Sequence, residues 1–377
     1  MGKLFEYGKC VDGQEFVGRK EEVARLSANF IFQTNTIVIA PQGWGKSSLV
    51  RKASEVAGKK DSLFRFCYVN LSNVRDEELM LILLAESVLK TVSGTVGEFV
   101  ENVRKHFMRL MPKMDFGAGS VEDISLDFDW SEVRNHRDIF IDLPFNVAKT
   151  DGLKITVCLD SFHSVDSFAA SDVLLRRLQD SWILHKGVSY CLCGCGTAMM
   201  EDFAKTSKPF YMYGDIIRLG RIAHADMIKS VRDRFADTGK YIDNEMAGLI
   251  ADMVSDSPFY IQQLAHLSWM NTSVVCSREV VLEAHSTIVD QMHLLFSTIT
   301  SGLTSQQLCY LHAVIAGETV ISSSEVLHRH RISSATSASR SKAALLQSGI
   351  ICNADGKIMI CDPLYSYWLK YRYFNDL

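Results

Sequence analysis

Short apolar runs recur along the first part of the chain, at 37–40, 64–71, 153–160, 187–196 and 216–219. Each is bounded by polar or turn residues and reads as a strand. Between them, apolar residues return at helical spacing. The stretch 23–32 carries Val23, Leu26 and Phe30 on one face, and 46–57, 77–90, 96–110 and 133–149 follow the same rule. Strands alternating with helices predict an α/β domain whose parallel five-stranded sheet is covered on both faces. One stretch departs from the alternation. Residues 114–129 hold Gly117-Ala118-Gly119 and then Ile124, Leu126 and Phe128 at every second place, which predicts a hairpin.

From His224 the pattern turns helical throughout. Four segments, 225–236, 244–254, 258–270 and 278–298, predict an all-α lid. After Leu303 come three short helical segments, 304–316, 322–328 and 334–348, and then a hairpin over 349–360 with an Asp355-Gly356 turn. Three helices and a two-stranded wing make a winged helix, closed by residues 362–368. The expected domains are 1–221, 222–298 and 299–377.

Composition narrows the function without naming it. The 377 residues are 47% hydrophobic and 22% charged, a globular balance. A formal net charge of −4 supplies no global attraction to nucleic acid or membrane. No apolar run approaches a membrane span, and the N-terminus lacks an apolar leader. Glu6 stands where a myristoylation site prefers Ser or Thr. Ten cysteines without paired spacing fit reduced thiols, hence a cytoplasmic setting.

The chemistry concentrates where the first strand ends. Ala40-Pro41-Gln42-Gly43-Trp44-Gly45-Lys46-Ser47-Ser48 joins a strand to a helix N-terminus. Backbone N–H groups of such a loop, with the helix dipole behind them, hold a polyphosphate. Gln42, Gly43, Trp44, Gly45, Lys46, Ser47 and Ser48 are therefore the expected nucleotide contacts. Lys46 is expected to reach the β- and γ-phosphates, and the Ser47 hydroxyl to sit on Mg²⁺. Ala40 takes the place of the motif's first glycine, which is acceptable if its φ stays negative. Asp160 ends an apolar strand and is expected to complete the Mg²⁺ shell. The next residues are Ser161, Phe162 and His163. Ser161 is a poor base, and His163 is a weaker candidate base at the strand end. Cys191, Cys193 and Cys195 share one face of a strand, where core packing explains them better than a metal. Upstream, Phe16-Val17-Gly18-Arg19 forms a turn expected to cover the adenine.

Taken together, FVGRKEE, APQGWGKSSL, CLDSFHSV, CGCGTAMM, Tyr213-Gly214 and the Pro258 lid motif resemble an archaeal-type ATPase of the STAND branch of the AAA+ superfamily. The resemblance runs from Lys3 to Trp368. It implies a P-loop core with bound ATP or ADP and Mg²⁺, Lys46 and Asp160 in catalytic positions, and Pro258 at the nucleotide. The departures are specific. Family members carry Glu where this chain has Ser161, and Arg after Tyr-Gly where it has Asp215. An inward-facing Asp215 would repel a γ-phosphate. Asp256 replaces the glycine of the lid's Gly-x-Pro.

The combination predicts a nucleotide-dependent conformational switch whose hydrolysis is weak or lost. Two alternatives stand beside it. In one, the winged helix engages DNA or a protein while the nucleotide core is degenerate. Residues 301–377 carry seven Lys/Arg against five acids, with Arg340 and Lys342 on the expected recognition helix. In the other, Asp166 or a partner chain in an oligomer completes an active ATPase.

Overall fold

Five parallel strands form the central sheet, in the order β2-β5-β6-β1-β7. In chain order β1 is Thr36–Ile39, β2 Phe64–Asn70, β3 Lys113–Phe116, β4 Ile124–Asp127, β5 Lys154–Asp160, β6 Val188–Gly194 and β7 Asp215–Arg218. The computed structural model describes residues 5, 7, 8 and 16–375, apart from 109, 111, 118, 196, 197, 204, 207, 355 and 356. The Asp355-Gly356 turn, Glu6 and part of the CGCGTAMM turn therefore lie outside the described residues.

The strands read as near-continuous apolar runs because both faces are buried. Ile37, Ile39, Ile155, Val157, Leu159, Tyr190 and Leu192 feed one layer, together with the helices Glu77–Thr91 and Ser171–Trp182. Val38, Cys158, Cys191 and Cys193 feed the other, under the helices Lys46–Lys60 and Lys20–Ile31. This is the period of two expressed in three dimensions. The order also fixes the site. β6 separates β1, which leads into the glycine loop, from β5, which ends at Asp160.

The predicted hairpin is β3 paired antiparallel with β4, Met114 opposite Leu126. Two expected helices prove to be broken. Residues 133–149 fall into Trp130–Asn135, Arg137–Ile141 and Leu143–Asp151, interrupted at His136 and Asp142, with Pro144 in the first turn of the third. Residues 278–298 become Arg278–Gln291 and His293–Ser301, with Met292 between them.

The lid helices continue with His224–Ala236, Asn244–Met253 and Pro258–Asn271. The winged helix contains Ser305–Ile315, Ser324–Arg329 and Ala335–Gln347, followed by β8 (Ile351–Ala354) and β9 (Lys357–Ile360). A Thr304/Gln307 capping box starts the first of these helices. The helix Pro363–Trp368 follows and runs into a π-helical turn at Leu369–Phe374. Lid and winged helix share one apolar cluster, which Phe5 and Ile222 join. Among the described residues, no helix is long and apolar enough to cross a membrane.

Candidate nucleotide site

The glycine loop is shaped by Gly43 (φ +78°) and Gly45 (φ +81°), both left-handed, and Gly45 caps the helix Lys46–Lys60. Ala40 is absent from the positive-φ residues. Its N–H bonds Gly194 O at 3.2 Å, so the strand ladder simply continues and a methyl group costs nothing. Trp44 is buried among Leu49, Val50 and the sheet. It anchors the loop while Gln42 and Gly43 stay exposed.

Lys46 is 9% exposed, and its ammonium donates to Ala40 O at 2.8 Å and Pro41 O at 2.9 Å. Cys195 Sγ lies 3.9 Å from the same Nζ. Ser47 Oγ donates to Asp160 Oδ2 at 2.5 Å. The hydroxyl of Tyr68, on β2, donates to that same oxygen at 2.5 Å. Asp160 Oδ1 accepts from Ser161 N at 2.8 Å. Ser47, next to Lys46 in the glycine loop, thus meets an aspartate 113 residues further along the chain. Ser48 continues the first turn of the helix, half-buried.

Sequence reasoning missed Tyr68. Its signal is a hydroxylated aromatic on the strand face shared with Phe64 and Phe66. It pairs in register with Cys158, two residues before Asp160. Burial first, and then the Asp160 carboxylate, push its phenol well above the usual tyrosine value, so it stays a donor.

Past Asp160 the chain departs from expectation. The strand stops there; Ser161 is left-handed (φ 58°) and Phe162–Ser167 is a short 3₁₀ helix. Phe162 is buried in the core, and His163 turns toward Cys195, whose N–H donates to Nδ1 at 3.3 Å. Burial and then the neighbouring Lys46 charge hold this imidazole below its ordinary pKa. With Nδ1 accepting, the neutral ring carries its proton on Nε2. His163 is a donor here, which removes it as a base. Asp166 is exposed on the same 3₁₀ helix.

Asp215 does not face the loop. It opens β7 beside Thr36, at the opposite end of the sheet from the glycine loop. There it pairs with the guanidinium of Arg25 and accepts from Asn29 Nδ2 at 2.8 Å. Repulsion of a γ-phosphate by Asp215 is thus ruled out by register.

The Phe16 turn is a junction. Phe16 packs on the layer under the helix Lys46–Lys60, Val17 on the lid cluster. A Cβ on Gly18 would come within 2.9 Å of Ile222. Arg19, left-handed and buried, donates to Trp44 O at 3.0 Å and Gly220 O at 2.9 Å, tying the loop to the segment entering the lid. Pro258 opens its lid helix after Ser257, and Phe259 meets Gly43 across the loop tip.

Among the described residues, one group of metal-type ligands converges: Cys158, Cys191 and Cys193. Cys193 lies 3.7 Å from Cys191 and 3.9 Å from Cys158, sulfur to sulfur, and all three are fully buried. They are small residues packed within the apolar layer beneath the helix Lys46–Lys60. Cys195, expected on their face, lies past the strand end beside Lys46.

A Walker-type ATPase of Pyrococcus abyssi superposes over 97% of this chain and 99% of its own, with TM-score 0.66 at 12% identity. The family described as "probable winged helix domain" matches residues 294–371. The chain has the Walker-type P-loop ATPase fold with a C-terminal winged helix. That fold is shared with the ORC2 protein of Aeropyrum pernix in its ADP form (97% and 96% covered, TM-score 0.55, 16% identity). It is also shared with the ORC1 protein of the same organism in complex with DNA (94% and 92% covered, TM-score 0.50, 14% identity). No curated protein gives a significant match. Lys46 and Ser47 stand where the glycine loop enters its helix, and Asp160 at the end of β5.

Proposed function

We propose that this chain binds ATP or ADP at residues 40–48 and acts as a nucleotide-dependent switch of the STAND type, with little or no hydrolysis. The observation that carries the reading is the meeting of Lys46, Ser47 and Asp160, intact, beside a Ser161 that supplies no carboxylate. A hydrolytic site needs a group that orients or deprotonates water. Ser161 is left-handed, His163 is a donor and Asp166 is exposed.

Ser47 Oγ and the Asp160 carboxylate are hard oxygen donors and suit Mg²⁺. A bound Mg²⁺ would neutralise phosphate charge between them. Lys46 supplies a fixed cation, and the Phe16–Arg19 turn and Pro258 flank the base and the lid side of the nucleotide.

The switch reading also rests on what touches the loop. Trp44, lid residues Ser255 and Ser257, and winged-helix residues Met359, Cys361 and Pro363 line one cavity of about 160 Å³. A loop that moves on binding phosphate presses on both C-terminal units at once. The test is thermal stability of the purified chain with Mg-ATP and with Mg-ADP, followed by phosphate release, with Lys46→Ala as control. Stabilisation without release, lost in the variant, is the expected result. Release abolished by Lys46→Ala would make the chain an active ATPase.

A second reading gives the winged helix a partner, DNA or protein. Arg340 and Lys342 are exposed on Ala335–Gln347, and one solved relative is described in complex with DNA. A salt-sensitive gel shift on duplex DNA, lost in the double variant Arg340→Ala/Lys342→Ala, would favour DNA. No shift at low salt would favour a protein. A cytoplasmic setting and self-association belong to the same proposal.

A further inference from the structure

The Asp160 carboxylate already accepts three hydrogen bonds from the protein. Its Oδ2 takes hydrogen bonds from Ser47 and Tyr68, both at 2.5 Å, and its Oδ1 takes Ser161 N–H at 2.8 Å. A carboxylate offers about four lone-pair sites, so three are filled from within the chain. The fourth, on Oδ1, is left open by the described residues.

Tyr68 is held in this position from both ends. Ser87 Oγ donates to Tyr68 O at 2.9 Å, fixing the strand. The Arg51 guanidinium lies 4.7 Å from the ring centroid, over its face. Asp160 itself is 6% exposed. Hydrogen bonds to an ionised carboxylate are strong in such a place and draw its charge toward the donors.

A cation at Ser47 normally relies on that carboxylate, directly or through a bound water. Here Tyr68 competes for it. We propose that Tyr68 is a positioning residue that stands in for the cation at Asp160, so that nucleotide affinity in this chain depends little on Mg²⁺. The inference rests on the nucleotide reading above. It deepens that reading: Lys46 and the loop amides hold the phosphates, and a Mg²⁺ bound beside Ser47 would add little to the affinity.

The test is calorimetric titration of ATP into the full chain, once in Mg²⁺ and once in EDTA, for the native protein and for Tyr68→Phe. The phenylalanine keeps the ring under Arg51, and its melting temperature reports whether the fold is kept. Native dissociation constants within about threefold of one another are expected. In Tyr68→Phe the two values separate by about tenfold, the worth of one charge-assisted hydrogen bond released to the cation. A native chain whose affinity rises tenfold or more with Mg²⁺ overturns the proposal, whatever the variant does. A variant with the native ratio overturns it too. Absence of ATP binding in both buffers overturns the nucleotide reading itself, and this proposal with it.

Discussion

The Tyr260 hydroxyl donates to Asp362 Oδ2 at 2.6 Å, joining the lid helix that begins at Pro258 to the helix Pro363–Trp368 of the winged unit. The other oxygen, Oδ1, caps that second helix by accepting from Leu364 N at 2.8 Å and Tyr365 N at 3.0 Å. One carboxylate therefore serves as helix cap and inter-unit tether. Asp362→Ala removes both. A lost cap costs about 1 kcal/mol, and the orphaned Tyr260 hydroxyl adds a similar amount. Urea unfolding should register a loss of roughly 2 kcal/mol. Tyr260→Phe, which keeps the cap, should lose about half of that.

Lys46→Ala is expected to abolish stabilisation by nucleotide while leaving a folded protein. The ammonium now satisfies the Ala40 and Pro41 carbonyls, so the ligand-free variant should melt slightly lower than the native chain. A thermal shift series with ADP checks both halves of the expectation. An undiminished shift would place the ligand elsewhere.

Acid should loosen the lid through His285. This ring is buried, its Nε2 has no partner, and it meets Tyr367 of the helix Pro363–Trp368 edge-on at 4.6 Å. Burial lowers its pKa to about 4. The folded chain then binds this proton less readily than the unfolded chain, whose value is about 6.5. Its effect on stability is negligible above the unfolded value and grows unfavourable as pH falls from there toward 4. Between about pH 7 and about pH 5 the loss amounts to roughly 2 kcal/mol. His285→Phe keeps a ring of similar shape and should flatten that part of the pH-stability curve. An unchanged slope would clear His285 of the role.

Asp215→Arg is informative because the family resemblance would suggest a gain. The structure predicts none. The new guanidinium would face Arg25 at the far end of the sheet, and the Asn29 bond would be lost. Since Arg25 is largely exposed, the cost should be modest, about 1 kcal/mol. Nucleotide affinity should not change. Improved binding of ATP over ADP would contradict the register that places Asp215 beside Thr36.

The sheet and the glycine loop between β1 and its helix were legible because their signals are local. Ile37, Val38 and Ile39 cannot sit anywhere but a two-sided core, and Gly-Lys-Ser after such a run leaves few structures open. The hairpin at Met114 and Leu126 was equally visible from its alternation. What escaped was set by distance. Tyr68 reads as one more strand aromatic until β2 is laid beside β5. Asp215 entered the site only through the resemblance, which puts Arg after Tyr-Gly, yet parallel register sends it to the other end of β7. His163 was placed at a strand end, but the left-handed Ser161 ends the strand at Asp160 and redirects everything after it. The helix Ser171–Trp182 went unpredicted, although Leu174, Leu175 and Leu178 give it an apolar face. The break at Met292 carries neither proline nor glycine, so nothing local announced it.

The cluster shared by lid and winged helix bears on how this chain can be taken apart. Phe296, on the helix His293–Ser301, packs at a tilt against Tyr365 and Trp368 at 5.2 and 6.0 Å, so a cut at residue 298 would split one apolar droplet and leave two wet halves. The seam that respects the packing lies near residue 221. Even there Phe5 reaches across to Phe235, 6.0 Å away, so a single proteolytic nick in that linker should yield two pieces that still travel together.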